Sequence, residues 1–309
     1  MRLARIALGA VCTLLLLLDT AAAADYSNGG TFLQLGHGAR AHALGGGGVA
    51  AIRTDAAAYW NPANLAWLKK QNGVTLMHAD ILPVIDDGYN SISAARGFGP
   101  RLGPQSQERR PTRGAYGLFF SHMGFQFDSG KSWSENVLKL AMAFAPNNYT
   151  GVGIGVRFLQ ANNDFDFGNG RGMGLDLALS VQLTERLRGA IVARDLWTRI
   201  EWDTDSHEIV RRSFDLGVQY ERWDASLILD WVVRQAGTER FIAGLEWNLF
   251  DEVLAVRGAM TTLLPGEART WPSGGVGIHL YGLTVDYAAS FDEVDSFDIG
   301  QRVSLHLEY

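Results

Sequence analysis

Thiols are almost missing from this chain. Its one cysteine, Cys12, lies in an N-terminal stretch that reads as a cleavable leader, so the chain that remains can form no disulfide, thiolate nucleophile or cysteine-ligated metal site. Long apolar runs are missing too. The longest, residues 6–18, falls short of the roughly 20 apolar residues that a membrane-spanning helix needs, and no later segment approaches it, which excludes a helical membrane protein. There is no Gly-x-Ser-x-Gly elbow, no His-Glu-x-x-His and no phosphate-binding loop, and the glycine run 45–48 lacks the spacing of a dinucleotide fingerprint. No cofactor is expected. The histidines at 37, 42, 78, 122, 207, 279 and 306 place no close pair on one strand face, so no metal site is expected, and His37 and His42 are read as hydrogen-bonded or solvated side chains. Nothing in the spacing selects a Ser-His-carboxylate set around His279 or His306, and the chain is read as a non-enzyme. An excess of positive charge is also absent. The formal charge is −6, and removal of Arg2, Arg5 and Asp19 with the leader subtracts a net +1 to leave −7, which argues against nucleic acid as a partner.

What the chain does have is alternation. From Val74 to Tyr309, stretches of about ten residues carry apolar side chains at every second position, which in a strand places them on one face. Val303, Leu305, Leu307 and Tyr309 oppose Ser304, His306 and Glu308; Leu175, Leu177, Leu179 and Val181 oppose Asp176, Ala178 and Ser180; Leu227, Leu229 and Trp231 oppose Ile228 and Asp230. The connections also alternate in length. Segments 146–149, 184–186, 221–223, 249–251 and 281–282 are short, whereas 123–135, 161–171, 196–211, 261–271 and 291–299 are longer and polar. Residues 98–113, rich in proline and arginine, break that rule on the short side. A continuous apolar face tipped with aromatics, a polar face bearing carboxylates and asymmetric connections predict a transmembrane antiparallel β-barrel of about 14 strands, all-β, with both termini on the tight-turn, periplasmic side.

Residues 1–24 read as a signal peptide: Arg2 and Arg5, the apolar run, then alanines 21–24 before Asp25. Residues 25–72 do not alternate and are expected to form a separate segment ahead of the barrel at 73–309. Within it Pro62 fixes its own φ and pushes Asn61 towards an extended backbone, which sets the Asn61 side chain to bond turn backbone or a nearby strand. Tyr59 and Trp60 are aromatic anchors beside it, and Asp55 is positioned to cap a short helix through alanines 56–58. The strand glycines Gly151, Gly153 and Gly155 are expected on the lumen face, chiefly serving curvature. Lys139, Arg157, Asp176, Asp215, Asp224, Asp230, Glu246, Arg257 and Asp286, of mixed sign on the lumen face, predict an ion-paired network.

The order GARA…LGGGGVA…DAAAYWNPANLA resembles the start of outer-membrane proteins of the PorV/PorQ family, a branch of the FadL-like barrels; RIEWDTDSHEIVRRSF resembles one of their long loops, and RVSLHLEY their closing strand. The resemblance implies that residues 25–72 form a hatch inside the barrel, with Asp55, Tyr59, Trp60, Asn61, Pro62 and Ala63 as its motif. It further implies an outer-membrane location in a Gram-negative-type bacterium. The closer branch implies a shuttle or interaction component of type IX-like protein secretion, partnered by a translocon or secreted proteins. The broader group implies a channel for hydrophobic small molecules. Val303, Leu305, Leu307 and Tyr309 resemble the C-terminal signal read by the barrel assembly machinery, a partner during biogenesis, and outer-membrane lipid surrounds the wall. Trp197, Trp202, Leu263, Leu264 and Trp271 are expected on long loops, at a ligand entrance or partner surface.

Overall fold

A computed structural model of the chain describes residues 31–68, 71–80, 88–101, 112–127, 129–165, 168–235, 239–264, 268–291 and 300–309. The expected signal peptide, Cys12 and the arginines at 109 and 110 lie outside the described residues. Four short helical pieces come first: η1 (Thr31–Gln34), α1 (Ala39–Ala43), α2 (Ala57–Trp60) and η2 (Pro62–Trp67). The strands follow as β1 (Asn72–Asp80), β2 (Tyr89–Arg101), β3 (Thr112–Gln126), β4 (Ser132–Asn147), β5 (Thr150–Asn163), β6 (Gly170–Gln182), β7 (Leu187–Arg194), β8 (Arg199–Trp202) and β9 (His207–Ile209). They continue with β10 (Ser213–Arg222), β11 (Ala225–Arg234), β12 (Glu239–Leu249), β13 (Leu254–Leu264), β14 (Arg269–Leu280), β15 (Leu283–Ser290) and β16 (Gly300–Glu308).

Neighbours along the chain pair antiparallel, β1 pairs with β16 from Gly73↔Glu308 to Asp80↔Gln301, and β5 pairs with β6, so the sheet closes on itself. Of the 16 strands in the sheet, β8 and β9 form a hairpin attached to the loop end of β6, and the remaining 14 form the ring. Closure matters because lipid offers no partner to an open strand edge. No helix among the described residues is long and apolar enough to cross a membrane.

The two faces of the wall follow the period-2 alternation. Met142, Leu140, Ile154, Leu177, Leu245 and Val303 are exposed on the outside, whereas Lys139, Ala141, Asp176, Ile242 and Ser304 are buried on the inside. A water-soluble barrel would not present such a continuous apolar exterior; a lipid-facing one requires it. The tight connections lie on one side. Tyr281 and Gly282 both take positive φ in a two-residue turn, the backbone twist that suits a short hairpin. Asn72 and Tyr309 bond each other's backbones at that same end, so both ends of the wall are there.

Two loop expectations need correction. Most of 123–135 and of 261–271 is strand: β3 and β4 remain registered out to Gln126↔Ser132, and β13 and β14 to Leu263↔Arg269. Polar side chains enter once the strands outgrow the bilayer, and the sequence pattern there resembles a loop although the ladder continues. Leu263, Leu264 and Trp271 are accordingly wall residues. The irregular stretch 98–113 splits likewise: β2 runs to Arg101 with a register shift after Phe98, and β3 begins at Thr112.

Candidate functional site

The segment 33–68 packs against inward-facing residues around the ring. Its helical pieces have four to six residues, too short to hold their shape alone, so tertiary contacts must fix them. Asn61 has an extended backbone (φ −156°), as the following proline demands. Its Nδ2 donates to the Val49 carbonyl at 2.8 Å and to Ser180 Oγ on β6 at 3.0 Å, while its Oδ1 accepts from the Ala63 N–H at 3.0 Å. Asn64 repeats the pattern, donating to Val49 and Ile52 carbonyls and accepting from Ser180. One serine on the wall thus ties two asparagines, which in turn satisfy the loop backbone.

Pro62 and Ala63 press on β5. A Cβ at Gly153 would collide with the Pro62–Ala63 peptide, one at Gly151 with Trp67, and one at Gly155 with Lys139. Gly151 and Gly153 therefore provide room for η2 to approach the wall and Gly155 for the Lys139 side chain, and curvature is not needed to explain them. Tyr59 and Trp60 stack edge to face at 4.8 Å; the Tyr59 hydroxyl donates to the Leu33 carbonyl at 2.7 Å and Trp60 Nε1 to the His37 carbonyl at 2.7 Å. Burial raises the Tyr59 phenol above its ordinary pKa. The carbonyls ending α2 meet cations: Lys139 Nζ donates to Tyr59 O at 2.9 Å and the Arg194 guanidinium to Tyr59 O at 3.1 Å and Trp60 O at 2.5 Å.

Asp55 does not cap a helix. The N-cap of α2 is Ala56 and has no side-chain bond, because Asp55 is turned to the wall. It accepts from Thr75 on β1 at 3.0 Å and from Ser93 on β2, and it pairs with His306 Nδ1 on β16 at 2.9 Å. A single buried carboxylate thereby joins the segment to three adjacent strands across the barrel seam. Beside it His37, fully buried, lies between Ser91 Oγ at 2.8 Å and Ser93 Oγ at 2.7 Å. Burial pulls the His37 imidazole down to about 4, with nearby Asp55 opposing that pull. Burial lowers His42 as well, reinforced by the positive charge of Arg302.

The lumen charges pair as their mixed signs predict. Asp176 receives Lys139 at 2.6 Å and Arg157 at 2.9 Å; Arg157 also reaches Asp195 at 2.7 Å. Arg194 meets Asp215 at 2.5 Å, and Arg257 bridges Glu246 at 2.5 Å and Asp286 at 2.6 Å. Two members depart from the expectation: Asp224 is exposed in the turn between β10 and β11, and Asp230 accepts backbone N–H groups in place of a cation. Residues absent from the sequence reading complete the set. Arg40 on α1 donates to both Glu246 oxygens at 2.8 Å, Arg53 pairs with Glu221, and Asp195, at φ 55°, leaves β7 for the interior. Arg194 was findable, since it shares parity with the inward Ala190 and Val192; Arg40 and Arg53 were not, because an irregular segment has no parity. On the glycine run, Asp230 Oδ2 accepts the Gly48 N–H and the Val49 N–H, and a Cβ on Gly47 would stand 2.8 Å from that carboxylate.

Towards the loop end the interior changes character. Phe119, Val137 and Leu159 point inward from β3, β4 and β5, packed with Leu33, Tyr59 and Trp60 and with Ile200 and Val210 of the 195–212 connection. Trp202, expected on an exposed loop, faces this cluster beside Trp133, whereas Trp197 is exposed as expected. No group of His, Cys, Asp and Glu among the described residues has metal-binding geometry.

No family model matches the sequence, and no curated protein does. The fold has solved counterparts. CymD, a monoaromatic hydrocarbon channel, shares 14% identity over 89% of this chain and 98% of that one, with a TM-score of 0.63. The fold is that of the FadL-like barrels. The toluene transporter TodX of Pseudomonas putida matches with 11% identity, 89% and 99% coverage and a TM-score of 0.64, and a FadL homologue of Pseudomonas aeruginosa with 13%, 84%, 95% and 0.58 respectively. At such identities the likeness is one of architecture.

Proposed function

We propose that this protein is an outer-membrane channel for small hydrophobic molecules, with the segment 33–68 as its plug. The observation that carries this reading is the apolar cluster that fills the interior at the loop end, where Phe119, Val137 and Leu159 pack with Ile200 and Val210 beside Tyr59 and Trp60. A porin for polar solutes keeps a polar interior. The structural neighbours CymD, a monoaromatic hydrocarbon channel, and TodX, a toluene transporter, support the same class. The test is uptake of a radiolabelled monoaromatic hydrocarbon by cells of a strain without such channels. Expression should raise the uptake rate several-fold, and Val137→Asp should abolish the gain at an unchanged yield of folded barrel; equal uptake with and without the protein would sink the proposal. The secretion role implied by the PorV/PorQ resemblance draws support from none of these three neighbours.

The exposed outward row Val303, Leu305, Leu307 and Tyr309 suits the assembly signal that its resemblance implies. Deleting Tyr309 should slow appearance of the heat-modifiable form in the membrane while leaving the melting of assembled barrel unchanged.

A further inference from the structure

The outer wall at the loop end of β3 to β6 carries a groove of about 900 Å³ overhung by the start of the 195–212 connection. Its floor is one register row of the sheet. Phe120 pairs with Leu138, Leu138 with Phe158 and Phe158 with Met173, and the row ends at Arg199 on β8. The next row towards the loops is wholly polar: His122 pairs with Asn136, Asn136 with Gln160, Gln160 with Arg171 and Arg171 with Glu201. The lipid-facing band therefore stops at a single pleat, and the groove straddles the step from acyl-chain depth to head-group depth. Trp197, 73% exposed at its edge, is the residue type that settles at that interface.

Charge at the step is uneven around the barrel. Arg171 and Arg199 lie together here, and Glu201, 3.4 Å from Arg199, offsets one of them, leaving a net positive rim. Across the barrel the corresponding boundary is made by Thr262, Thr270 and Gln301 and by the carboxylate of Glu239. A guanidinium pair above an apolar trough matches a molecule with a phosphate at one end and a hydrocarbon chain at the other.

We propose that this groove is a binding site for an outer-leaflet lipid, which it holds by a head-group phosphate on Arg171 and Arg199 and by one acyl chain along Phe120, Leu138, Phe158 and Met173. The site is formed when β8 pairs with β6: Gly170, Gly172 and Gly174 leave the inner side free for Thr198, Ile200 and Trp202, and Arg199 and Glu201 are thereby turned outward. The proposal rests on which end of the barrel bears the loops and is independent of the cargo.

The test uses the full-length barrel in detergent, scored by native mass spectrometry during titration with bisphosphorylated lipid A, with the same lipid stripped of phosphate, and with inorganic phosphate. Wild type should retain one lipid A, and Arg171→Gln with Arg199→Gln should weaken its binding at least tenfold. Phosphate-free lipid should bind wild type no better than lipid A binds the double variant. Glu201→Gln removes the opposing charge and should tighten lipid A binding several-fold, a gain that misfolding cannot mimic. Equal retention by the double variant, equal binding of phosphate-free lipid, saturation by inorganic phosphate alone, or no gain with Glu201→Gln would each overturn the proposal.

Discussion

Two sides of the interior hold the same segment by different physics. Along β3, β4 and β5, Lys139 and Arg157 apart, the wall offers small or apolar residues, with Gly151, Gly153, Ala141 and Ala143 giving way to η2 and with Phe119 tilted against Tyr59 at 4.8 Å. From β10 round to β15 it offers charge, with Asp230 accepting from the glycine run and Glu246 clasping Arg40. Shape complementarity tolerates few changes of volume but needs no exact angle; buried ion pairs require both partners and their geometry. The difference teaches that segment and wall cannot slide as one rigid plug, because displacement on the charged side would strand several ions, whereas the apolar side loses contacts gradually.

The comparison is broken most severely by Asp176→Ala, which takes its carboxylate partner from Lys139 and leaves Arg157 with Asp195 alone, two buried cations sharing one buried anion. Loss of one partner from a buried pair costs about 3–5 kcal/mol, so urea unfolding in lipid vesicles should shift by that amount or no folded barrel should form. A wild-type midpoint would mean that water solvates these cations. Gly153→Leu probes the apolar side, where overpacking of this kind costs about 1–3 kcal/mol. It should expose residues 33–68 to hydrogen exchange, while Gly258→Leu on the lipid face changes nothing; identical exchange in both would refute close packing as the role of Gly153.

The remaining effect, confined to acid pH, concerns His37. His37 titrates at about 4 in the folded protein against 6.5 for the free side chain, so the folded state binds fewer protons between these values. The contribution is complete above pH 6.5 and is lost as pH falls through about 4. His37→Asn should flatten that part of the stability curve, and an unchanged slope would remove His37 as its source.

Legibility in the sequence followed locality. The wall strands could be read because lipid dictates one face, and Lys139, Arg157, Asp176 and Asp215 were found from parity alone. Asp224 was misplaced because a tight turn interrupts parity without altering composition. Asn61 showed its extended backbone through Pro62, yet its bonds to Val49 and Ser180 could not be read, since Ser180 is 119 residues away. Asp55 looked like a helix cap because alanines follow it, and its attachment to Thr75, Ser93 and His306 depends on a seam that exists only once the ring closes.

By itself the sequence determined a β-barrel: alternation is a property of neighbouring residues, and a strand needs nothing beyond its own period to present one face to lipid. Only the tertiary structure decided what fills that barrel. Arg40 finds Glu246 206 residues away, two glycines on β5 turn out to be the seat of η2, and a hairpin laid against β6 creates a groove on the outer wall. Each of these is a meeting of distant chain segments whose geometry no local pattern encodes.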